Sequence, residues 1–468
     1  INFCYAGGEN AGRLEQINLE IPDGQVVLLC GQSGCGKTTV TLAILRAMER
    51  KGIVPAPFKC GPDYIDPQLH RMACKEVSIN LDGFFMDKAA LRKTFFTHCV
   101  GADAAVVEGA MGLFDGDMNF GGALAPAGIA QALDLPVILV VNVHGIGQSV
   151  APLVSGFVNW NKNVRIAGVF AAMAGSENHV EILRQSLSNN GLPPLIGYMI
   201  RNDKLKLKER HLGLSLDDYD EDFFDLLADN LKLDWEKLEK FTQVVIPDGF
   251  TDVKSDCPTP EYRLGVAVDE AFSFYYPENF EKLHRAGIEI VAFSPIHDRK
   301  LPENLDGLYF GGGYPELYAV ELAANSTMIQ DIRDFAADNK VIYGECGGYV
   351  YLTQAFVSSD GTAYEFCNLL PGRAFLKNKL AALGYRNIKI LQDCPLGKKN
   401  SSLKGHEFHY SVVFGNDTDN PLFESVSLNG RKELCGSRNG NVFGSYLHIF
   451  FPDAPGLLTP QSTFLSPK

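Results

Sequence analysis

Short apolar runs, each followed by a glycine-rich turn and then an amphipathic stretch, recur along both halves of this chain. The run Val26–Cys30 (VVLLC) leads into GQSGCGKT and then into a helical pattern over residues 39–52. Ala104–Gly109 (AAVVEG) reads as a buried strand that ends on an acid, Glu108. In the second half, residues 308–326 (LYFGGGYPELYAVELAANS) run from a strand into three consecutive glycines. Residues 341–352 (VIYGECGGYVYL) give an apolar strand, a turn that Gly347 and Gly348 permit, and the start of a further element. Runs of this length without polar alternation suit strands covered on both faces, and their alternation with helices implies parallel sheets. The expected fold class is α/β, with two doubly wound domains.

Residues 217–241 keep a helical period and close the first domain, whereas residues 244–262 (VVIPDGFTDVKSDCPTPEY) have no period and are rich in proline, aspartate and threonine. The latter stretch is the expected linker. The domains are then 25–243 and 263–452, with an atypical segment at 1–24 and a proline-punctuated tail at 453–468.

Composition agrees with two substantial cores: 468 residues, 46% apolar and 21% charged. No run approaches the roughly eighteen apolar residues of a membrane span, and no charged-then-apolar leader is present. A cytoplasmic location without a membrane partner is the expectation. The net charge of −14 opposes binding to nucleic-acid phosphates, and the basic cluster Lys204–Arg210 reads as a solvated face. Eleven cysteines without a C-x-x-C pair argue against a disulfide framework and against zinc.

Two stretches carry candidate chemistry. Gly31–Thr38 satisfies G-x-x-x-x-G-K-[ST] between a strand and a helix. Backbone N–H groups around Gly31, Gly34 and Gly36 would hold ATP phosphates, with Thr39 beside them, Lys37 would reach the terminal phosphates, and the Thr38 hydroxyl would bind magnesium. Glu108 is placed to offer the metal a carboxylate, and Asp63 and Asp66 follow a predicted strand at i and i+3. A proline-bounded turn with surface acids is the blander reading of that pair. The second stretch holds Cys346 at a strand-to-helix turn, where helix N–H groups should lower its pKa. The alternative is a small buried cysteine without a role. N–H groups of Gly312, Gly313 and Gly347 could form an oxyanion hole, and His406, His409 and His448 lie downstream.

In order along the chain, RLGVAVDEAFSFYY (263–276), FSPIHDRKLP (293–302), GGGYPE, ECGGYVYL and GHEFHYS (405–411) resemble a class I glutamine amidotransferase domain of the cobyrinic acid amidase type. The resemblance implies that Cys346 attacks the glutamine amide and His448 moves the proton. Many members of the wider class carry Glu two residues after this histidine; here Phe450 stands there, which implies a Cys-His pair rather than a triad. FKCGPDYIDPQLH (58–70), VVEGAMGLFDG (106–116) and KERHLGL (208–214) are similar to the ATP-dependent domain of the cobyrinate a,c-diamide synthase family, relatives of dethiobiotin synthetase. By that resemblance Asp63 and Glu108 join Thr38 around Mg2+, Lys59 assists the phosphates, and Tyr64 and Asp66 place the substrate carboxylate.

The joint implication is ATP- and glutamine-dependent amidation of the a and c carboxylates of cobyrinic acid through acyl phosphates, in cobalamin biosynthesis. Hydrogenobyrinic acid and nickel sirohydrochlorin are alternative substrates within the same motifs, and a homodimer is compatible with the resemblance. Asn142 and the pair Ala171–Ala172 depart from the family, whose members often carry Asp and Leu-Asn there. Residues 1–24 instead resemble the opening of an ABC transporter ATPase, with Tyr5 placed to stack on adenine, yet no LSGGQ signature follows. A transporter ATPase and a noncatalytic chimera whose altered N-terminus no longer binds ATP are the remaining alternatives, and residues 1–23 are expected to be dispensable for the chemistry.

Overall fold

The computed structural model describes residues 25–116, 122–207, 209–210, 213–214, 219–242, 258–415 and 420–452. The ABC-like segment with Tyr5, most of the expected linker, parts of KERHLGL and the tail lie outside the described residues.

The first apolar run forms β1 (Gln25–Gly31), followed by α1 (Lys37–Arg50), β2 (Pro55–Cys60), α2 (Asp66–Cys74), β3 (Ile79–Leu81) and β4 (Ala104–Glu108). Then come β5 (Val137–Asn142), β6 (Ile166–Ala174), β7 (Leu195–Ile200) and β8 (Leu231–Leu233). They build one sheet in the order β8-β7-β6-β5-β1-β4-β2-β3, parallel except for β8. Side chains of β1 and β4 are buried on both faces, which explains their lack of polar alternation. β1 is central, so the loop at its C-terminal end opens at the top of the sheet beside Glu108 of β4.

The helical reading of residues 217–241 needs correcting. Helices Glu221–Asn230 and Trp235–Thr242 flank β8, which pairs antiparallel with β7. Leu231 and Leu233 alternate about Lys232 and extend the sheet, and Asp234 restarts the helix by accepting the Lys237 N–H at 3.1 Å.

In the second half, β9 (Tyr262–Ala267), β10 (Ile288–Phe293), β11 (Gly307–Phe310) and β12 (Val341–Glu345) lead to the short α3 (Gly347–Leu352). The chain continues through β13 (Ala382–Ile390), β14 (Ser402–His409), β15 (Phe423–Ser427), β16 (Lys432–Cys435), β17 (Ser437–Asn439), β18 (Val442–Ser445) and β19 (His448–Phe450). One sheet runs β10-β9-β11-β12-β18-β17, parallel apart from β17. A second, antiparallel sheet runs β16-β15-β13-β14-β19. The parallel reading of this half is therefore incomplete, since β19 with His448 belongs to the antiparallel sheet.

The halves meet through aromatic and polar contacts. Phe85 stacks on Phe450 (centroids 5.0 Å apart), Phe84 packs on Tyr385 (4.6 Å), and the Tyr385 hydroxyl donates to buried Asp82 (2.8 Å). Gln68 donates to the Ser273 carbonyl (3.1 Å), and Lys404 donates to that of Phe84 (2.5 Å).

His98 adds a protonation-dependent tie. Its Nδ1 faces the Thr94 carbonyl at 2.7 Å and its Nε2 faces Glu281 at 2.6 Å; both partners accept, so the ring must be an imidazolium. Burial opposes that charge, but the hydrogen bond to Glu281 outweighs it and raises the His98 pKa. A raised pKa contributes stability fully below the unfolded value of about 6.5 and loses it as pH rises through the folded value. Thermal unfolding should show this loss in the parent chain, and His98→Gln should remove that component. Identical pH profiles for the two would refute the assignment.

Candidate active sites

The phosphate loop begins where β1 ends. Gly34 and Gly36 take φ of 74° and 91°, a left-handed backbone that suits glycine and lets the loop turn into α1. Lys37 and Thr38 open α1, and the Thr38 hydroxyl donates to Glu108 Oε1 at 2.6 Å. Lys59, on neighbouring β2, donates to Glu108 Oε1 at 2.9 Å and to Asp66, and its Nζ lies 3.9 Å from Asp63. Burial resists ionisation of Glu108, but Lys59, then His70 and Thr38, hold its carboxyl well below the usual range.

Asp63 Oδ1 accepts the N–H groups of Ile65 and Asp66 (2.9 and 3.1 Å), which fixes the start of α2. The structure thus gathers Lys37, Thr38, Lys59, Asp63, Asp66 and Glu108 at one end of the sheet.

Tyr64 points elsewhere. Only 9% exposed, its ring lies against Phe274 (5.3 Å), Tyr276 (4.8 Å) and His448 (4.9 Å) of the second half. The loop carrying Asp63 and Asp66 therefore touches the histidine of the other site directly.

At that second site Cys346 sits between β12 and α3 with φ 46° and ψ −104°, a strained backbone for a non-glycine residue. Its N–H donates to the Ser445 carbonyl at 2.8 Å, tying the turn to β18, and His448 follows three residues later. The expected fall in the thiol pKa is not found. Cys346 is 7% exposed; burial, then the Glu316 carboxylate, pushes its pKa up, and the Gly347 N–H offsets only part of this. Burial with His406 and His409 nearby lowers His448 to about 3. Both shifts favour the uncharged forms, a thiol and a neutral imidazole.

The triple-glycine loop packs on this turn. Gly348 donates to the Gly311 carbonyl at 2.9 Å, and a Cβ on Gly347 would stand 3.0 Å from the Gly313 nitrogen. Gly312 departs from its expected role: its N–H donates to the Phe274 carbonyl at 3.3 Å. Gly312 instead gives His448 room, since a Cβ there would collide with the imidazole. Of the expected oxyanion set, Gly313 and Gly347 remain as candidates. Gly313 has φ 153°, and a Cβ would run into the Ala271 carbonyl. Gly313→Ala should accordingly reduce glutamine hydrolysis by roughly a hundredfold, the scale of a lost oxyanion donor. A near-parent rate in a glutaminase assay would remove Gly313 from the site.

Residues 26–214 match the CobQ/CobB/MinD/ParA nucleotide binding domain, and residues 263–455 match the CobB/CobQ-like glutamine amidotransferase domain. The cobyrinate a,c-diamide synthase of Syntrophotalea carbinolica is 38% identical over 442 residues, covering 92% of this chain and 96% of the relative. That of Dehalococcoides mccartyi strain CBDB1 is 37% identical with the same coverages, and that of Salmonella typhimurium is 37% identical over 91% and 95%. The chain belongs to the cobyrinate a,c-diamide synthase family.

Membership makes it a glutamine-hydrolysing ligase with a nucleotide-binding domain, which sets aside the transporter ATPase. Among the described residues no helix is long and apolar enough to cross a membrane. The position that the wider class fills with Glu is apolar here, and nothing takes the place of the carboxylate among the described residues. Phe450 stacks on Phe85 and lies under the Lys282 ammonium (3.7 Å), while His448 Nδ1 is buried with no hydrogen-bond partner among the described residues.

Sequence reasoning missed three residues. Glu345, beside the cysteine, accepts from the hydroxyls of Tyr309 and Tyr343 (2.9 Å each) and from the Ile449 N–H (3.1 Å). Burial pushes its pKa up to about 7. It anchors the residue next to His448, and an acid inside a buried strand was the available signal. His70 bonds Glu108, and Asp82 caps the loop that carries Phe84 and Phe85. His406 lies across the ladder from His448, and His409 stacks on Tyr446 (3.8 Å) with Nδ1 2.8 Å from the Ser411 carbonyl.

Proposed function

We propose that the chain amidates the a and c carboxylates of cobyrinic acid, with ATP as phosphoryl donor and glutamine as nitrogen source, in cobalamin biosynthesis. A carboxylate resists ammonia because its oxygen leaves poorly. Transfer of the γ-phosphoryl group gives an acyl phosphate and ADP; ammonia then attacks the carbonyl and phosphate departs. Lys37 and Lys59 balance the phosphoryl charge, and Asp66 orients the acceptor carboxylate.

At the second site Cys346 attacks the glutamine amide as its proton passes to His448, which protonates the departing ammonia; water then hydrolyses the thioester. Gly313 and Gly347 face the oxyanion. The observation that carries this reading is the contact of Tyr64 with His448, because it joins the two sites across one buried interface. Ammonia released at Cys346 then emerges beside the loop of Asp63 and Asp66.

Thr38, Asp63 and Glu108 present only oxygen donors, which suits Mg2+, and Thr38 Oγ1 and Glu108 Oε1 already lie 2.6 Å apart. Among the described residues no cluster of three histidine, cysteine or acidic side chains could hold a metal alone. When bound, magnesium neutralises charge on the transferring phosphoryl group.

The test is incubation with ATP, glutamine and each tetrapyrrole in turn, followed by mass spectrometry. Cobyrinic acid should become the diamide; conversion only of hydrogenobyrinic acid or nickel sirohydrochlorin would reassign the substrate.

A further inference from the structure

Glu108 is held from both sides, and one holder has no place in the chemistry described so far. His70 lies on α2 one turn after Asp66, so a single helix presents Asp66 to Lys59 and His70 to Glu108. Its Nε2 is 2.8 Å from Glu108 Oε2, and its Nδ1 is 2.9 Å from the Ser78 hydroxyl. His70 and Glu108 are both fully buried, and Ser78 is nearly so. A ring protonated at Nε2 satisfies both contacts, with Ser78 donating to His70 and His70 donating to Glu108.

The consequence is an asymmetric carboxylate. Oε2 is engaged by His70, whereas Oε1 faces Thr38 at 2.6 Å and Lys59 at 2.9 Å. Only one oxygen is therefore turned toward the phosphate loop. Magnesium is small and takes single oxygens in near-octahedral geometry, whereas calcium takes more ligands and readily accepts both oxygens of one carboxylate. A carboxylate that cannot turn favours the smaller ion.

We propose that His70 is a positioning residue that restricts Glu108 to a single metal-facing oxygen and so makes the ATP site select magnesium over calcium. This rests on the magnesium reading above. A histidine that merely tied α2 to the sheet would affect stability without altering ion preference.

The test is calorimetric binding of ATP to the full chain with Mg2+ or with Ca2+, for the parent, His70→Leu, His70→Gln, Ser78→Ala and Glu108→Gln, with thermal unfolding recorded for each. His70→Leu should weaken Mg2+-dependent ATP binding by about 10- to 100-fold, the usual effect of losing an outer partner of a metal ligand. Ca2+-dependent binding should fall less, so that the preference narrows. His70→Gln keeps a side-chain donor and should recover part of the preference, while Ser78→Ala, which frees the ring, should lose part of it. Should His70→Leu not fold, His70→Gln and Ser78→Ala decide: an unchanged magnesium-to-calcium ratio in both overturns the proposal, as does an unchanged ratio in folded His70→Leu. If Glu108→Gln itself leaves Mg2+-dependent binding intact, the magnesium reading fails instead, and the proposal falls with it.

Discussion

Cys346→Ser should abolish glutamine-dependent amidation, by at least about a thousandfold, while amidation from added ammonia stays near the parent rate. Cys346 sits on a strained turn, packed under the triple-glycine loop and tied to Ser445. A serine hydroxyl fits that space, yet ionises far less readily than a thiol and is the poorer nucleophile in a buried site. Ammonia supplied from solution bypasses this step altogether. The residues that activate the carboxylate lie on α1, β2, β4 and around the start of α2, and none of them depends on the thiol. Paired assays with glutamine and with ammonium salt at equal ATP decide the matter: loss of both activities would show that the sites are not separable.

The converse variants remove the other site. Lys37→Ala and Glu108→Gln should each lower synthesis by at least about a hundredfold, the scale of a lost electrostatic clamp on a transferring group. Glutamine hydrolysis assayed without nucleotide should persist. Glu108→Gln has a second effect, because Lys59 and His70 both lean on the carboxylate. Lys59 keeps Asp66 as a partner, so the domain should fold with reduced stability, and an unfolding curve must accompany the rate. A Lys37 variant that made product at the parent rate would contradict the phosphate-loop assignment.

The parts of these sites written in local backbone demands were legible in the sequence. Gly34 and Gly36 need left-handed backbone, and Cys346 needs small residues after it, so both turns leave a signature within a few positions. His448 was reached only through resemblance, because its strand β19 pairs with β14, some forty residues earlier, rather than with the sheet that carries Cys346. His70 left no signal, since a buried histidine on an apolar helix face looks like any core residue until its partner, 38 positions away, is in place. The same holds for Tyr64: its neighbours Phe274, Tyr276 and His448 are hundreds of residues distant, and no periodicity encodes them. The thiol pKa was misjudged for a related reason. A short helix is visible in the sequence, whereas strand β14, whose Phe408 carbonyl faces the buried sulfur at 3.9 Å, is some sixty residues away.

In the proposed function the two sites act as one machine across the Tyr64–His448 contact. Glutamine labelled with nitrogen-15 in its amide, supplied together with unlabelled ammonium, tests this most directly. Transfer through the buried interface predicts diamide whose new nitrogens are overwhelmingly nitrogen-15, with little dilution as ammonium is raised. Label that falls in proportion to the free ammonium would mean that ammonia escapes to solvent before reaching the acyl phosphate, and would contradict the account.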